Sequence, residues 1–477
     1  MTSLHPSPQE PAVGQTGSLR TCLDAMQSAQ RAQVPDYAQR MDDLIRLRTA
    51  LRNRLDALAF ATSADFGQRS RHETLLADGM TVLSEIDHIR AHLREWMRPD
   101  RVATSPMHWP GRNEVRKVPL GVVGILSPWN YPINLALIPL AGAISAGNHV
   151  LLKPSEHTPR TSALLQELIA DVFPPQRAAV VLGDAEIAQE FAGLPFDHLF
   201  FTGSTEVGRK VMAAAAPNLT PVTLELGGKS PTFVSASCNI EEAARRIAQG
   251  KCFNGGQTCI ATDYLLVEGD RMEALVAALQ CAVAAYFPTG GATSDLTAMV
   301  SDAQYRRLAG WLADAKARGA RLIEIGPGDA ERRVLPLTLV LDAPADCDLM
   351  QHELFGPVLP LLRVADANAA IDYINARPRP LALYLFDTDA RRVDDFLART
   401  SVGSVAINDT IVQFAQAGLP FGGIGASGLG QYHGRYSFET FSKRLPVFRQ
   451  AAAFASSRLA RPPYRRFADL LVRLTTR

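Results

Sequence analysis

Between residues 121 and 226 the chain alternates short apolar runs with stretches of helical pattern, and this alternation constrains the fold most. Residues 121–126, 149–152, 178–182, 198–201 and 220–226 read as strands, and 139–146, 161–172 and 207–216 read as helices. Strands separated by such helices predict an α/β fold with a parallel, doubly wound sheet. Ligands of such sheets lie beyond the carboxyl ends of the strands, which directs attention to the residues after each strand. A second α/β run extends from about Lys229 to Asn408. It has helices over 240–251, 272–286 and 303–318, strands over 264–267 and near 337–341, and a further segment over 357–364. Ahead of both, residues 19–99 are helical. Met41, Leu44, Leu47, Leu51, Leu55 and Leu58 recur at steps of three and four, and Leu75, Val82, Ile86, Ile89, Leu93 and Trp96 form a second such face. Polar residues fill the opposite faces, so these helices are expected to coat a domain and to carry no chemistry.

A length of 477 residues exceeds one simple core and suits two large domains or about three ordinary ones. Lys and Arg total 49 against 48 Asp and Glu, a formal net charge of +1. That balance excludes a surface built throughout to hold nucleic acid or an anionic membrane. Hydrophobic residues at 47% and charged residues at 20% describe a globular chain rather than a disordered one. The six cysteines, at 22, 238, 252, 259, 281 and 347, are too few and too scattered for a disulfide framework. None forms a CxxC pair, so neither a zinc ribbon nor a thioredoxin-type motif is supported, and no metal is expected. Residues 1–18 are polar and rich in Pro, Gly and Ser, reading as a disordered tail without a targeting signal. The apolar stretch 133–146 is too short to span a bilayer and reads as a buried helix. A cytoplasmic protein with no integral membrane segment is the expectation.

The chemistry concentrates at a few positions. Gly255-Gly256-Gln257-Thr258-Cys259 sets a cysteine after a glycine-rich turn, where exposed backbone N–H groups are expected to lower the thiol pKa and to hold an oxyanion. The other five cysteines read as small packing residues. Thr223-Leu224-Glu225-Leu226-Gly227-Gly228 buries one carboxylate in an apolar strand. It is either a general base with a raised pKa or one half of an ion pair with Lys229 or Arg209. Asn130, between Pro128 and Pro132, is either an amide donor to an oxyanion or a turn residue. Lys153 follows a strand with Glu156 three residues on, a ribose-binding acid or a surface ion pair. Gly203 and Ser204 stand where a strand gives way to a helix, a phosphate-compatible position. Gly423, Gly425 and Gly428 spell GxGxxG but precede no clear helix, and read as a glycine-rich loop rather than a dinucleotide fingerprint.

Together these segments resemble the aldehyde dehydrogenase superfamily, from about residue 20 to about 450. His352-Glu353-Leu354-Phe355-Gly356-Pro357, Leu419-Pro420-Phe421-Gly422-Gly423, Gln431-Tyr432-His433-Gly434 and Ser437-Phe438-Glu439-Thr440-Phe441-Ser442 look like its class 3 branch. Asp65-Phe66-Gly67 with Arg69-Ser70-Arg71-His72-Glu73-Thr74 is similar to the bacterial coniferyl aldehyde dehydrogenase group. The resemblance implies a doubly wound parallel-sheet cofactor domain, a second α/β catalytic domain and a small strand-based oligomerisation segment. The expected boundaries are 19–227 for the helices and dinucleotide-binding domain (with a bridging segment near 100–118) and 228–408 for the thiol domain. A return and oligomerisation segment over 409–450 and a basic tail over 451–477 complete the chain, which is expected to form a homodimer. The resemblance further implies that Cys259 attacks a small-molecule aldehyde and that Asn130 and the Cys259 N–H hold the oxyanion. Hydride then passes to NAD, with NADP as the alternative, and Glu225 activates the water that hydrolyses the thioester. Glu353 is implied at the nicotinamide ribose, Phe355 beside the ring, Lys153 and Glu156 at the adenosine ribose, and Gly203 and Ser204 near the pyrophosphate.

Two residues depart from the class 3 pattern. Thr262 stands where relatives usually carry proline, with a local backbone effect expected. Gln413 stands where many have histidine, in a stretch that approaches the substrate entrance in the family, and this weakens the aryl-aldehyde assignment. Medium- or long-chain aliphatic aldehydes are the alternative substrates. Release of the thioester to coenzyme A is a rival chemistry that Glu225 argues against, and a non-catalytic scaffold would have lost a group that is present here. From Arg449 on, seven arginines face one acid, Asp469. Phe467, Leu470, Leu471 and Leu474 there could line one face of a helix, packed on the subunit or its partner or lying on a membrane surface.

Overall fold

The computed structural model describes residues 19–288, 295–326, 328–452, 462–464 and 466–475. The tail expected over 1–18 and residues 453–461 lie outside them. Helices Leu19–Ala32, Tyr37–Phe66 and Thr81–Trp96 come first. Asp36 and Gln39 start the long one with a reciprocal capping box. Leu44, Leu47, Leu51 and Leu58 on that helix, and Val82, Ile86, Ile89 and Leu93 on the next, are fully buried. They share one core with strands of both large sheets. The periodicity is as expected, but the peripheral role is corrected. The apolar faces pack on the wholly buried helix Asn134–Ala146, which makes them part of the centre. That helix ends at Gly147, whose φ of +94° closes it in the left-handed region that glycine enters without penalty.

Strand β1 (Asp100–Val102) and β2 (Arg112–Pro119) form an antiparallel pair. The chain then lays down β3 (Val122–Leu126), β4 (His149–Lys153), β5 (Ala178–Val180), β6 (His198–Thr202) and β7 (Val222–Glu225). These pair in parallel in the order β7-β6-β3-β4-β5. After β5 the chain crosses back to the other side of β3, so the direction of winding reverses between β3 and β6. Such a reversal opens a crevice at the carboxyl ends of the strands.

The second sheet comprises β8 (Pro231–Val234), β9 (Tyr264–Glu268), β10 (Arg321–Ile325), β11 (Leu337–Leu341), β12 (Val358–Val364), β13 (Ala382–Phe386) and β14 (Ser404–Ile407). Its order is β10-β11-β12-β9-β8-β13-β14, parallel throughout except for β10. Finally β15 (Gly428–Leu429) pairs antiparallel with β7, and β16 (Ser442–Arg449) pairs with β2 to complete a three-stranded sheet. The GxGxxG spelling leads into β15, not a helix. Gly428 lies opposite Glu225, so that loop pads the strand carrying the carboxylate.

No helix among the described residues is long and apolar enough to cross a membrane. A helix does form over Arg466–Thr475, with Leu470 52% exposed; the side chains of Phe467, Leu471 and Leu474 lie outside those described.

Candidate active site

The carboxyl ends of the first sheet face the amino ends of the second across a cavity of about 830 Å³. From the first sheet come Asn130 after β3, Lys153 and Glu156 around the end of β4, Gly203 and Ser204 after β6, and Glu225 at the end of β7. Cys259, five residues before the start of β9, comes from the second sheet, with Glu353 and Phe355 ahead of β12. All nine residues singled out in the sequence line this one cavity.

The turn before the thiol is forced by its backbone. Asn254, Gly255 and Gly256 follow one another at φ of +54°, +58° and +72°. A Cβ on Gly255 would stand 2.6 Å from the Thr297 carbonyl, and one on Gly256 would strike the Gly356 carbonyl. Glycine therefore serves both the dihedral and the close approach. Gln257, fully buried, fastens the turn by donating to the Asn254 and Ala298 carbonyls at 3.0 Å each and accepting from the Val300 N–H. Tyr131 and Thr258 join hydroxyls at 2.6 Å.

Asn130 is 3% exposed, and its amide donates to the Gln257 carbonyl at 3.2 Å. An amide nitrogen carries two hydrogens, so this bond leaves a second donor. Cys259 is half-buried, and its pKa is raised, contrary to the sequence expectation. Backbone N–H groups of Cys259 and Ile260 do pull it down, but burial and then the nearby Glu353 and Glu225 carboxyls outweigh them.

Glu225 is 2% exposed, and neither carboxylate oxygen has a hydrogen-bond partner. Burial raises its pKa well above the ordinary range. The ion-pair reading does not hold, because Lys229 binds Asp263 and the carbonyls of Leu349 and His352 instead. Burial also pushes Glu353 up to about 8. Its Oε1 is buried without a partner, while Phe355 meets Trp129 edge-on at 5.3 Å between centroids. Lys153 donates to Glu156 at 3.0 Å; the lysine side chain is 3% exposed and the glutamate 37%. This is a pair in the cavity wall rather than on the outer surface. Ser204 caps the helix Thr205–Ala215 by accepting from the Val207 N–H.

The aldehyde dehydrogenase family profile matches residues 6–445. The chain belongs to the aldehyde dehydrogenase family. It is 44% identical to the coniferyl aldehyde dehydrogenase of a Pseudomonas species, over 94% of each chain. The substrate-bound structure of Staphylococcus aureus AldH superposes with a TM-score of 0.92 at 34% identity, covering 96% of this chain and 100% of that one. A Mycobacterium tuberculosis aldehyde dehydrogenase complexed with NAD+ superposes at 0.82 with 27% identity, covering 91% and 90%. The enzyme is thus an aldehyde dehydrogenase by sequence and by fold.

The two departures from the class 3 pattern find partners. Thr262 is fully buried and bonds the Thr232 hydroxyl at 2.9 Å. Gln413 is 8% exposed and donates to the Tyr384 hydroxyl at 3.2 Å; Tyr384 in turn donates to the Ile260 carbonyl at 2.5 Å. It therefore buttresses the thiol turn from behind. Of the cysteines expected to pack, Cys238, Cys252 and Cys347 are buried, whereas Cys22 is half-buried and Cys281 is exposed. Sequence reading passed over Trp129, Gln304 and Arg307, which also line the cavity, and the scaffold residues Arg69, Glu73, Asp78 and Asn254. Only the Asp65–Thr74 motif carried any signal of them. Among the described residues no group of three His, Cys, Asp or Glu could hold a metal ion.

Proposed function

We propose that the enzyme oxidises an aryl or allylic aldehyde such as coniferyl aldehyde to the carboxylic acid, with NAD+ or NADP+ as acceptor, through a covalent intermediate on Cys259. One observation carries this reading: Glu225 is buried and unpartnered in the wall of the cavity that the cysteine and the Asn130 amide also line. A carboxyl kept for stability would be paired; an unpaired one in a cavity suits a base for water.

Cys259 loses its thiol proton to solvent and the thiolate attacks the aldehyde carbon, forming a C–S bond as the C=O π bond opens onto oxygen. The oxyanion of this thiohemiacetal takes the free N–H of Asn130 and the Cys259 backbone N–H. The cavity fits a dinucleotide. Glu353 offers an acceptor to ribose hydroxyls, Lys153 and Glu156 a second ribose site, and Gly203 and Ser204 a helix N-terminus for phosphate. Phe355 flanks the same space. NAD(P)+, when bound, would supply a positive charge and the acceptor for the hydride that leaves the thiohemiacetal carbon as its oxyanion re-forms the carbonyl, which leaves a thioester on Cys259. Glu225 then takes a proton from water, the hydroxide attacks the thioester, and Cys259 leaves as the thiolate. Glu156 favours NAD, since a carboxylate repels a 2′-phosphate.

The substrate class rests on the coniferyl aldehyde dehydrogenase relative and the Asp65–Thr74 motif. The open antiparallel sheet of β1, β2 and β16, with Leu445 and Phe448 exposed, supports assembly as a homodimer. A panel of aryl, allylic, medium-chain and long-chain aldehydes, run with each cofactor and with or without coenzyme A, tests the reading. Aryl and allylic aldehydes should give the highest kcat/KM and a free acid. A preference for long aliphatic chains would overturn the substrate class, and strict dependence on coenzyme A would overturn hydrolysis.

A further inference from the structure

The helical segment expected to be inert reaches under the cavity. Arg69 and Asp78 form an ion pair at 3.0 Å with both side chains fully buried. Each charge also has a second task. Arg69 Nη1 donates to the Asn130 carbonyl at 2.9 Å. Asp78 Oδ1 accepts from the N–H groups of Ile133 at 3.2 Å and Asn134 at 2.8 Å, where the buried helix Asn134–Ala146 begins. A carboxylate at that end supplies acceptors for donors that the helix itself leaves unsatisfied. One ion pair thus holds the loop carrying Asn130 at Asn130 itself and at the end where the helix begins.

The surrounding contacts bear on this loop, on the thiol turn and on the segment beside it. Arg69 lies over the rings of Phe66 and Tyr131, 5.1 Å from each centroid. Asn254 Nδ2 gives the Asn130 carbonyl a second donor at 2.9 Å. Glu73 accepts from the Asn254 N–H at 3.1 Å and from the Thr297 hydroxyl. Gln68 donates from its side chain to the Leu296 carbonyl at 2.7 Å. The Asp65–Thr74 motif therefore ties the Asn130 loop to the thiol turn, two segments that belong to different sheets.

We infer that Arg69 and Asp78 are positioning residues that aim the Asn130 amide at the developing oxyanion. Burying two charges costs several kcal/mol unless geometry and further hydrogen bonds offset it. A pair of apolar residues would fill the space, but it would leave the Asn130 carbonyl with Asn254 as its remaining donor and free the start of the helix. An oxyanion donor works only within a few tenths of an ångström of its place, and a shift of about 1 Å costs about 100-fold. The inference rests on the Asn130 role proposed above.

The test compares pre-steady-state bursts of reduced nicotinamide in wild type, Arg69→Lys, Arg69→Met/Asp78→Asn and Asn130→Ala. Arg69→Lys keeps a cation beside Asp78 but lacks the guanidinium fork that spans carboxylate and carbonyl. The double variant removes both charges at similar volume. Both are expected to slow the burst by about 10- to 100-fold, with the KM for the dinucleotide unchanged. Added to Asn130→Ala, the Arg69 changes should cost nothing more, which a merely structural pair would not show. If the double variant fails to fold, Arg69→Lys carries the test alone. A wild-type burst in Asn130→Ala would overturn the oxyanion reading itself. A slow Asn130→Ala beside fast Arg69 variants, or losses that multiply in combination, would overturn only the positioning inference.

Discussion

Glu225, Glu353 and Cys259 line one cavity, and burial raises the pKa of each. Ionising any one disfavours the others, so the resting site favours the neutral forms until a cation enters. Two consequences follow for Glu225. Replacing it by Gln should leave the first burst of reduced nicotinamide near wild-type size while steady turnover falls by about 100-fold or more. A steady rate equal to wild type would show that Glu225 is not the base. Because burial raises its pKa, the basic form grows in at higher pH than for an ordinary carboxylate. Single-turnover thioester hydrolysis should climb about tenfold per pH unit below that pKa, and Glu225→Gln should lack this limb. At this scale the sequence revealed residue types, including the isolated Glu in an apolar strand. It misjudged the thiol, because the backbone donors are local in sequence whereas the burial and the opposing carboxyls that outweigh them come with the tertiary fold.

Between elements, Glu85 on the helix Thr81–Trp96 accepts the first N–H of the helix Gly434–Thr440. Burial pushes its pKa up to about 7 from 4.5. Between those two values the folded protein binds more protons than the unfolded one, so stability falls as pH rises through that window and levels off above it. Glu85→Gln keeps an acceptor for Gly434 without the charge. The variant should gain about 1–3 kcal/mol at alkaline pH and little at acid pH, read from urea denaturation midpoints. An unchanged pH dependence would refute the assignment to Glu85. Elements with strong periods were legible: the helix Met272–Tyr286 and β11 lie where the pattern placed them. The strands β8 and β13 and the helix Ala185–Ala192 were not, since four to eight residues give too short a sample of either period.

For the molecule as a whole, the two large sheets meet where Gly227, just after β7, backs onto Glu353, ahead of β12. A Cβ on Gly227 would strike the Glu353 carboxylate. If Glu353 holds the nicotinamide ribose as proposed, Gly227→Ala should raise the dinucleotide KM by about tenfold, equivalent to about 1.4 kcal/mol. The alkylation rate of Cys259 in the free enzyme should change less than the KM does, because Glu353 is second to burial among the causes that raise the thiol pKa. Slower alkylation with normal KM would mean that the change acts on the thiol instead. By itself the sequence determined the alternating α/β pattern, the glycine turn before Cys259 and the lone carboxylate of β7, because each depends on chain neighbours alone. Only the tertiary structure decided that Lys229 goes to Asp263 and leaves Glu225 unpaired, and that Arg69 and Asp78 reach the Asn130 loop. Those outcomes depend on which distant groups compete for one buried partner, and that competition exists only once both sheets and the first helices have closed around the cavity.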